Sequence, residues 1–203
     1  MRRLATTPKL LASLAVVGAA ASIAGLGTFA AFTSSTSAQN QALTSGTVSI
    51  ILGAANRLTT GASGLVPGDT VERAVDITNN GTVANSQVGS IALTTTAPTS
   101  SLLDTDTTNG LQMQIDSCPV AWTESGGPAY TYTCGGSTSV VLASRAVIGN
   151  AIALSNMSAV TGGNTDHLRV KLTLPAGAGN TLQTLSSTIG YTFTATQRTA
   201  TSK

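Results

Sequence analysis

The side chains that could do chemistry are few and widely separated. The 203 residues hold one histidine, His167, and two cysteines, Cys118 and Cys134. A zinc-protease helix needs two histidines at i and i+4 with a glutamate between them, which one histidine cannot supply. His167 follows Asp166 in a Gly-Gly-Asn-Thr-Asp-His turn, just ahead of an alternating apolar run, and reads as a satisfied surface histidine. Serine is abundant, but no G-x-S-x-G elbow marks one out as a nucleophile. The run Asp104-Thr105-Asp106-Thr107-Thr108-Asn109-Gly110 has the outline of a calcium loop. Its spacing departs from the EF-hand pattern, and Ile115 stands where a bidentate glutamate belongs. Side-chain-to-backbone turns at Asp104 and Asp106 explain the same residues without a metal. Leu174-Pro175-Ala176-Gly177 matches a sortase signal only in part and reads as a strand end followed by a turn. Lys171 alternates onto the polar row of its strand, which argues against an intramolecular isopeptide bond. No catalytic residue, metal ligand or cofactor is expected.

The N-terminus reads as an address. Arg2, Arg3 and Lys9 precede a stretch from Leu10 to Phe32 without a charged residue, LLASLAVVGAAASIAGLGTFAAF. A basic start, an apolar run and then small residues is the order of a secretory signal. At 23 residues the run is also long enough to span a bilayer, so a retained anchor is the alternative. Its Ala and Gly content weakens it in that role. Cleavage is expected between Ala31 and Phe32, with Ala30 and Ala38 as other candidate positions. Residues 1–31 are therefore assigned to a signal peptide, 32–45 to an N-terminal arm and 46–203 to a folded domain. An exported chain meets oxidising surroundings, where a Cys118–Cys134 disulfide is the default and contributes about 3 kcal/mol on the chain-entropy estimate. Two free buried thiols are the alternative reading of the pair.

Composition narrows the rest. Lys and Arg number 10 against 8 Asp and Glu, for a net charge of +2, and no basic cluster lies beyond residue 9. Electrostatic binding of nucleic acid is thereby excluded. A 41% hydrophobic share with only 9% charged residues excludes a charge-driven disordered chain. Loss of residues 1–31 removes Arg2, Arg3 and Lys9 and leaves a net charge of −1. The 34 threonines and 22 serines fit outward rows of strands, where a β-branched side chain suits the backbone and a hydroxyl meets water.

Periodicity of two dominates beyond residue 45. Leu111, Met113 and Ile115 alternate with polar residues, as do Leu168, Val170, Leu172 and Leu174, and Ile189, Tyr191, Phe193 and Ala195. Each pattern gives one core-facing and one outward row. Further strands are expected over 46–52, 71–78, 88–95, 120–123, 130–133, 139–142 and 147–154, with a short helix or turn within 180–187. Pro67-Gly68-Asp69, Asn79-Asn80-Gly81, Asn109-Gly110, Gly126-Gly127-Pro128 and Gly162-Gly163-Asn164 separate them as turns. About ten short strands at this spacing imply an all-β chain, a jelly-roll-like antiparallel β-sandwich. Thr33–Gln41 has no apolar periodicity and reads as an extended arm.

Several phrases resemble the TasA/camelysin family of exported Gram-positive proteins. Gly27-Thr28-Phe29-Ala30-Ala31-Phe32 is similar to the family's signal junction, and Ser45-Gly46-Thr47-Val48-Ser49-Ile50 to the strand that follows it. Leu65-Val66-Pro67-Gly68-Asp69, Thr78-Asn79-Asn80-Gly81-Thr82 and the closing Phe193-Thr194-Ala195-Thr196-Gln197 resemble later phrases, in family order. The paired cysteines and lysine-poor surface depart from the best-known members. The resemblance implies a jelly-roll subunit, released by a signal peptidase, that polymerises with itself into extracellular biofilm-matrix fibres. In such fibres the freed arm adds a strand to the sheet of the next subunit. Here Phe32, Ala38, Ala42 and Leu43 would be its apolar anchors. Some camelysins are described as metallopeptidases. A monomeric secreted adhesin or binding module on the same sandwich is the alternative from a different class.

Overall fold

The computed structural model describes residues 33–37, 50–52, 60–81, 88–126 and 129–199. Twelve strands stand among them: β1 (Thr33–Ser37), β2 (Ile50–Leu52), β3 (Thr60–Ser63), β4 (Thr70–Asn79), β5 (Val88–Thr99), β6 (Gln112–Cys118), β7 (Thr123–Ser125), β8 (Thr131–Thr133), β9 (Ser139–Ala146), β10 (Gly149–Ala153), β11 (Thr165–Thr173) and β12 (Ser186–Gln197). A one-turn helix, α1 (Leu102–Thr105), follows β5, and single 3-10 turns occupy Ser158–Val160 and Asn180–Leu182.

All pairings are antiparallel. One sheet runs β10–β5–β12, with β3 and β1 both on the far edge of β12. The other runs β2–β4–β11–β6–β9, and β7 with β8 forms a separate hairpin. Leaving out β1, β2 and that hairpin, the sheets read β3-β12-β5-β10 and β4-β11-β6-β9. That is the strand order of a jelly roll, two Greek keys wound into a sandwich. β2 then adds an edge strand beyond β4, while β1 shares the outer edge of β12 with β3.

The expected alternations supply the core. Val75 and Ile77 of β4, Met113 and Ile115 of β6, and Leu168, Val170 and Leu172 of β11 come from one sheet. Ile91 and Leu93 of β5 and Ile189, Tyr191, Phe193 and Ala195 of β12 come from the other. Every one is at most 2% exposed, and they form one contiguous cluster. Burial of each large apolar side chain contributes about 1.5–3 kcal/mol.

Two of the turn phrases fasten β4 to β11 at both ends. Before β4, Gly68 N–H donates to the Leu174 carbonyl and Leu174 N–H donates to that of Asp69. Gly68 takes φ +97°, a conformation open to glycine. At the end of β4, Asn79 N–H donates to the Asn164 carbonyl and its own carbonyl accepts from Gly163 N–H, just ahead of β11. Its buried side-chain amide donates to the Ala159 carbonyl, and its side-chain oxygen accepts from Gly81 N–H. Leu174-Pro175 is a strand end followed by a turn, as expected, with Ala178 N–H closing onto the Pro175 carbonyl.

Three local expectations need correction. Residues 120–122 are not a strand: Pro119 has no N–H to donate, and the chain leaves the sheet there to form the β7–β8 hairpin. Tyr130 lies outside β8, which begins at Thr131. His167 lies within β11 rather than in the turn before it. β3 and α1 are additions. α1 is held by a capping box in which Ser101 and Asp104 exchange bonds with each other's backbone N–H or that of Leu103. Gly110 closes this segment where a Cβ would come within 2.3 Å of the Asp106 carbonyl oxygen.

Candidate functional site

Two places gather the residues of interest, and the first is the outer edge of β12. Along one flank β12 pairs with β5 from Thr188↔Thr99 to Gln197↔Val88. Along the other, β3 covers Ser186–Ile189 and β1 covers Thr192–Thr196, in the register Thr33↔Thr196, Ser35↔Thr194 and Ser37↔Thr192. Gly190 and Tyr191 lie between the two short strands. The arm thus begins with a strand on the sheet of its own chain. Phe32, Ala38, Ala42, Leu43 and the expected cleavage position at Ala31 lie outside the described residues.

The second place is the outer face of the other sheet. Alternation along β11 turns His167, Arg169 and Lys171 away from the core, in register with Asp76, Ala74 and Glu72 on β4 and with Cys118, Asp116 and Gln114 on β6. The Arg169 guanidinium donates to Asp116 Oδ2 at 2.7 Å and lies 3.5 Å from Glu72 Oε1. The Arg169, Glu72 and Asp116 side chains are 19%, 14% and 6% exposed.

What covers them is the hairpin. Cys118 and Cys134 form a disulfide with a Cα–Cα distance of 5.7 Å, closing the loop at its base as expected. The Trp122 ring sits 4.7 Å from the Arg169 guanidinium, and its indole N–H donates to the His167 carbonyl at 2.9 Å. Tyr132 N–H donates to Glu72 Oε2, and its hydroxyl donates to Glu124 at 2.7 Å. Burial, reinforced by that bond to Glu124 and its charge, pushes the Tyr132 phenol up to about 12. Arg73 stacks over Tyr130, 5.4 Å from the ring centre. The result is a clamp: Arg169 is answered by Asp116 and Glu72, and Trp122 and Tyr132 bind the hairpin to the sheet.

The remaining candidates are also engaged. His167 Nδ1 is 2.7 Å from Asp76 Oδ1, so its partner is the cross-strand aspartate and not its neighbour Asp166. Asp166 instead accepts from the backbone N–H groups of Ser158 and Ala159. Asp104 is 4% exposed. Burial pushes its carboxyl up, but bonds from Ser187, the Ser101 backbone and Ser100 outweigh that and hold it below the usual carboxylate range. Asp106 is lowered by the backbone N–H groups of Asn109 and Thr108 and by the Asn109 side chain. Asp104 therefore completes the capping box, and the Asp106 carboxylate closes the turn over Thr108 and Asn109.

Sequence reasoning missed the hairpin clamp. No local signal places Glu72, Asp116, Trp122 and Arg169 together, because that needs the sheet register. The capping box was legible as the Ser-x-x-Asp phrase Ser101-Leu102-Leu103-Asp104.

Fold and edges together define a small jelly-roll β-sandwich with one short, polar edge strand and one disulfide-pinned hairpin. The chain belongs to the camelysin metallo-endopeptidase family, whose model matches residues 7–123, more than half of its length. No curated protein and no solved structure matches the chain significantly. The family description raises the question of a metal. All eight acidic residues, the histidine and both cysteines fall within the described residues. No three of them are grouped to hold a metal ion. Both sulfurs are spent in the disulfide and His167 is engaged by Asp76, so these residues do not fit a catalytic zinc. Among the described residues no helix is long and apolar enough to cross a membrane.

Proposed function

We propose that the protein is an exported structural subunit that polymerises into extracellular fibres by placing its N-terminal strand on the sheet of a neighbouring copy. The observation that carries this reading is the place of β1. It is a five-residue strand on the outer edge of β12, joined to the rest of the domain through residues 38–49. Fully extended, a connection of that length reaches about 40 Å, enough to set the same strand on the β12 edge of another molecule. Strand addition of this kind takes affinity from backbone hydrogen bonds. Because donor and acceptor are different surfaces, the contact repeats head to tail without closing. The low charge of the chain leaves little electrostatic opposition to such pairing.

In this reading residues 1–31 are removed by a signal peptidase, Phe32 becomes the new N-terminus, and Phe32, Ala38, Ala42 and Leu43 anchor the donated segment. Deleting residues 32–43 should leave a folded monomer that makes no fibres. Fibres of normal abundance in negative-stain micrographs would sink the proposal. The family's description favours one other reading, metal-dependent proteolysis. Incubating purified mature protein with casein tests it, and cleavage abolished by a chelator would support it.

A further inference from the structure

The strand that would be donated already occupies its own acceptor. We infer that β1, docked on β12 of the same chain, is a brake on assembly: it caps the monomer and must leave before a neighbour's β1 can bind. This rests on the strand-addition reading and adds its regulation.

Competition follows from the sheet. β5 fills one flank of β12 along nearly its whole length, and β3 fills the other flank at Ser186–Ile189. What remains is Thr192–Thr196, five residues that accept one strand at a time. A β1 from the same chain and one from a neighbour have the same sequence, and in the same register they would form the same ladder. The balance between them is therefore set by concentration. A strand joined to its site through only twelve residues, 38–49, is present there at an effective concentration in the millimolar range, so at micromolar protein the chain's own strand is favoured by about a thousandfold. The monomer is thereby stored with its edge covered, which prevents unregulated pairing.

The brake is also built to release. β1 reads Thr-Ser-Ser-Thr-Ser and has no apolar residue to anchor it. Gly190 and Tyr191 separate it from β3, so it can leave without opening the β3 pairing. β12 stays in place when it goes, because Phe193 and Ala195 are fully buried and β5 holds the other flank. Assembly should then begin from a locally opened monomer and rise steeply with protein concentration.

A covalent lock tests this. Ser35 and Thr194 are paired positions, and antiparallel partners about 4.5–5.5 Å apart at Cα are within disulfide reach. Both native cysteines are already bonded to each other, so neither competes for an added pair. The double variant S35C/T194C should form an intrachain bond in the soluble monomer, and its fibre yield should fall at least about tenfold below that of either single variant. An equimolar mixture of S35C and T194C chains should give interchain bonds in the fibres. Ser37→Cys with Thr192→Cys is the second pair should the first fold poorly. Double-variant thiols that stay free in the monomer, while the mixture cross-links in fibres, would overturn the brake and leave the strand-addition reading standing. A locked monomer that polymerises normally would overturn the brake. If the 32–43 deletion does so as well, the strand-addition reading falls with it.

Discussion

The two flanks of β12 show the same backbone used in opposite ways. Towards β5 the pairing is long, and Leu93 and Ile91 stand opposite Phe193 and Ala195, all of them buried at 1% exposure or less. Towards β1 the pairing covers five residues and the partner sequence is entirely Ser and Thr. The ladder hydrogen bonds are of one kind on both sides; what differs is the apolar burial attached to them. One flank belongs to the core, and the other carries no apolar side chain from its partner strand β1. On the proposed reading, a strand would be permanent on one edge and provisional on the other.

That contrast can be broken or sharpened by substitution. The largest effect is expected at Phe193→Ala, which should cost about 3–5 kcal/mol in urea unfolding, whereas Ser35→Pro on the provisional flank should cost less than about 1 kcal/mol. Equal losses at the two positions would mean that β1 is part of the core and not an exchangeable edge. Next comes the far sheet, where Arg169→Met leaves Asp116 and Glu72 without their counter-ion. A loss of about 2–3 kcal/mol is expected there, below the range for a wholly buried pair because the arginine is partly exposed, with fibre formation unchanged in folded protein. Fibre loss in that variant would tie the hairpin face to assembly.

Alkaline pH gives a smaller effect. The folded chain keeps the Tyr132 proton that an unfolded chain gives up near the ordinary phenol value of 10. Its contribution to stability is therefore complete below pH 10 and is lost as pH rises towards about 12. Thermal melts should fall over that window, and Tyr132→Phe should flatten the fall. The smallest effect is at Thr184, a β-branched residue with φ +63° just ahead of β12. Thr184→Asn should raise stability by about 0.5 kcal/mol and leave both flanks alike unaffected.

The sheet residues were legible because alternation needs no knowledge of what lies across the sheet. Leu168, Val170 and Leu172, or Tyr191, Phe193 and Ala195, announce an inner face on their own, and the sandwich class follows from enough such runs. Residues 120–123 also alternate in a way, yet Pro119 and the disulfide at Cys118 take them out of the sheet, where Trp122 finds Arg169. Short patterns yield to tertiary contacts of that kind. The pairing of His167 with Asp76 was hidden for a related reason. Its sequence neighbour Asp166 points to the opposite face of β11, while the partner comes from β4, 91 positions away. The arm was legible as polar and extended, but no sequence pattern says which copy of β12 such a strand will choose.

The hairpin clamp carries an experimental dividend. Trp122 is the only tryptophan in the chain, and it is stacked on Arg169 beneath a loop pinned by the single disulfide. Its emission is therefore a built-in optical label for one event, the lifting of that loop from the sheet. The exchange proposed at β12 would take place on the other sheet, so fluorescence and microscopy would follow the two motions separately in unlabelled protein.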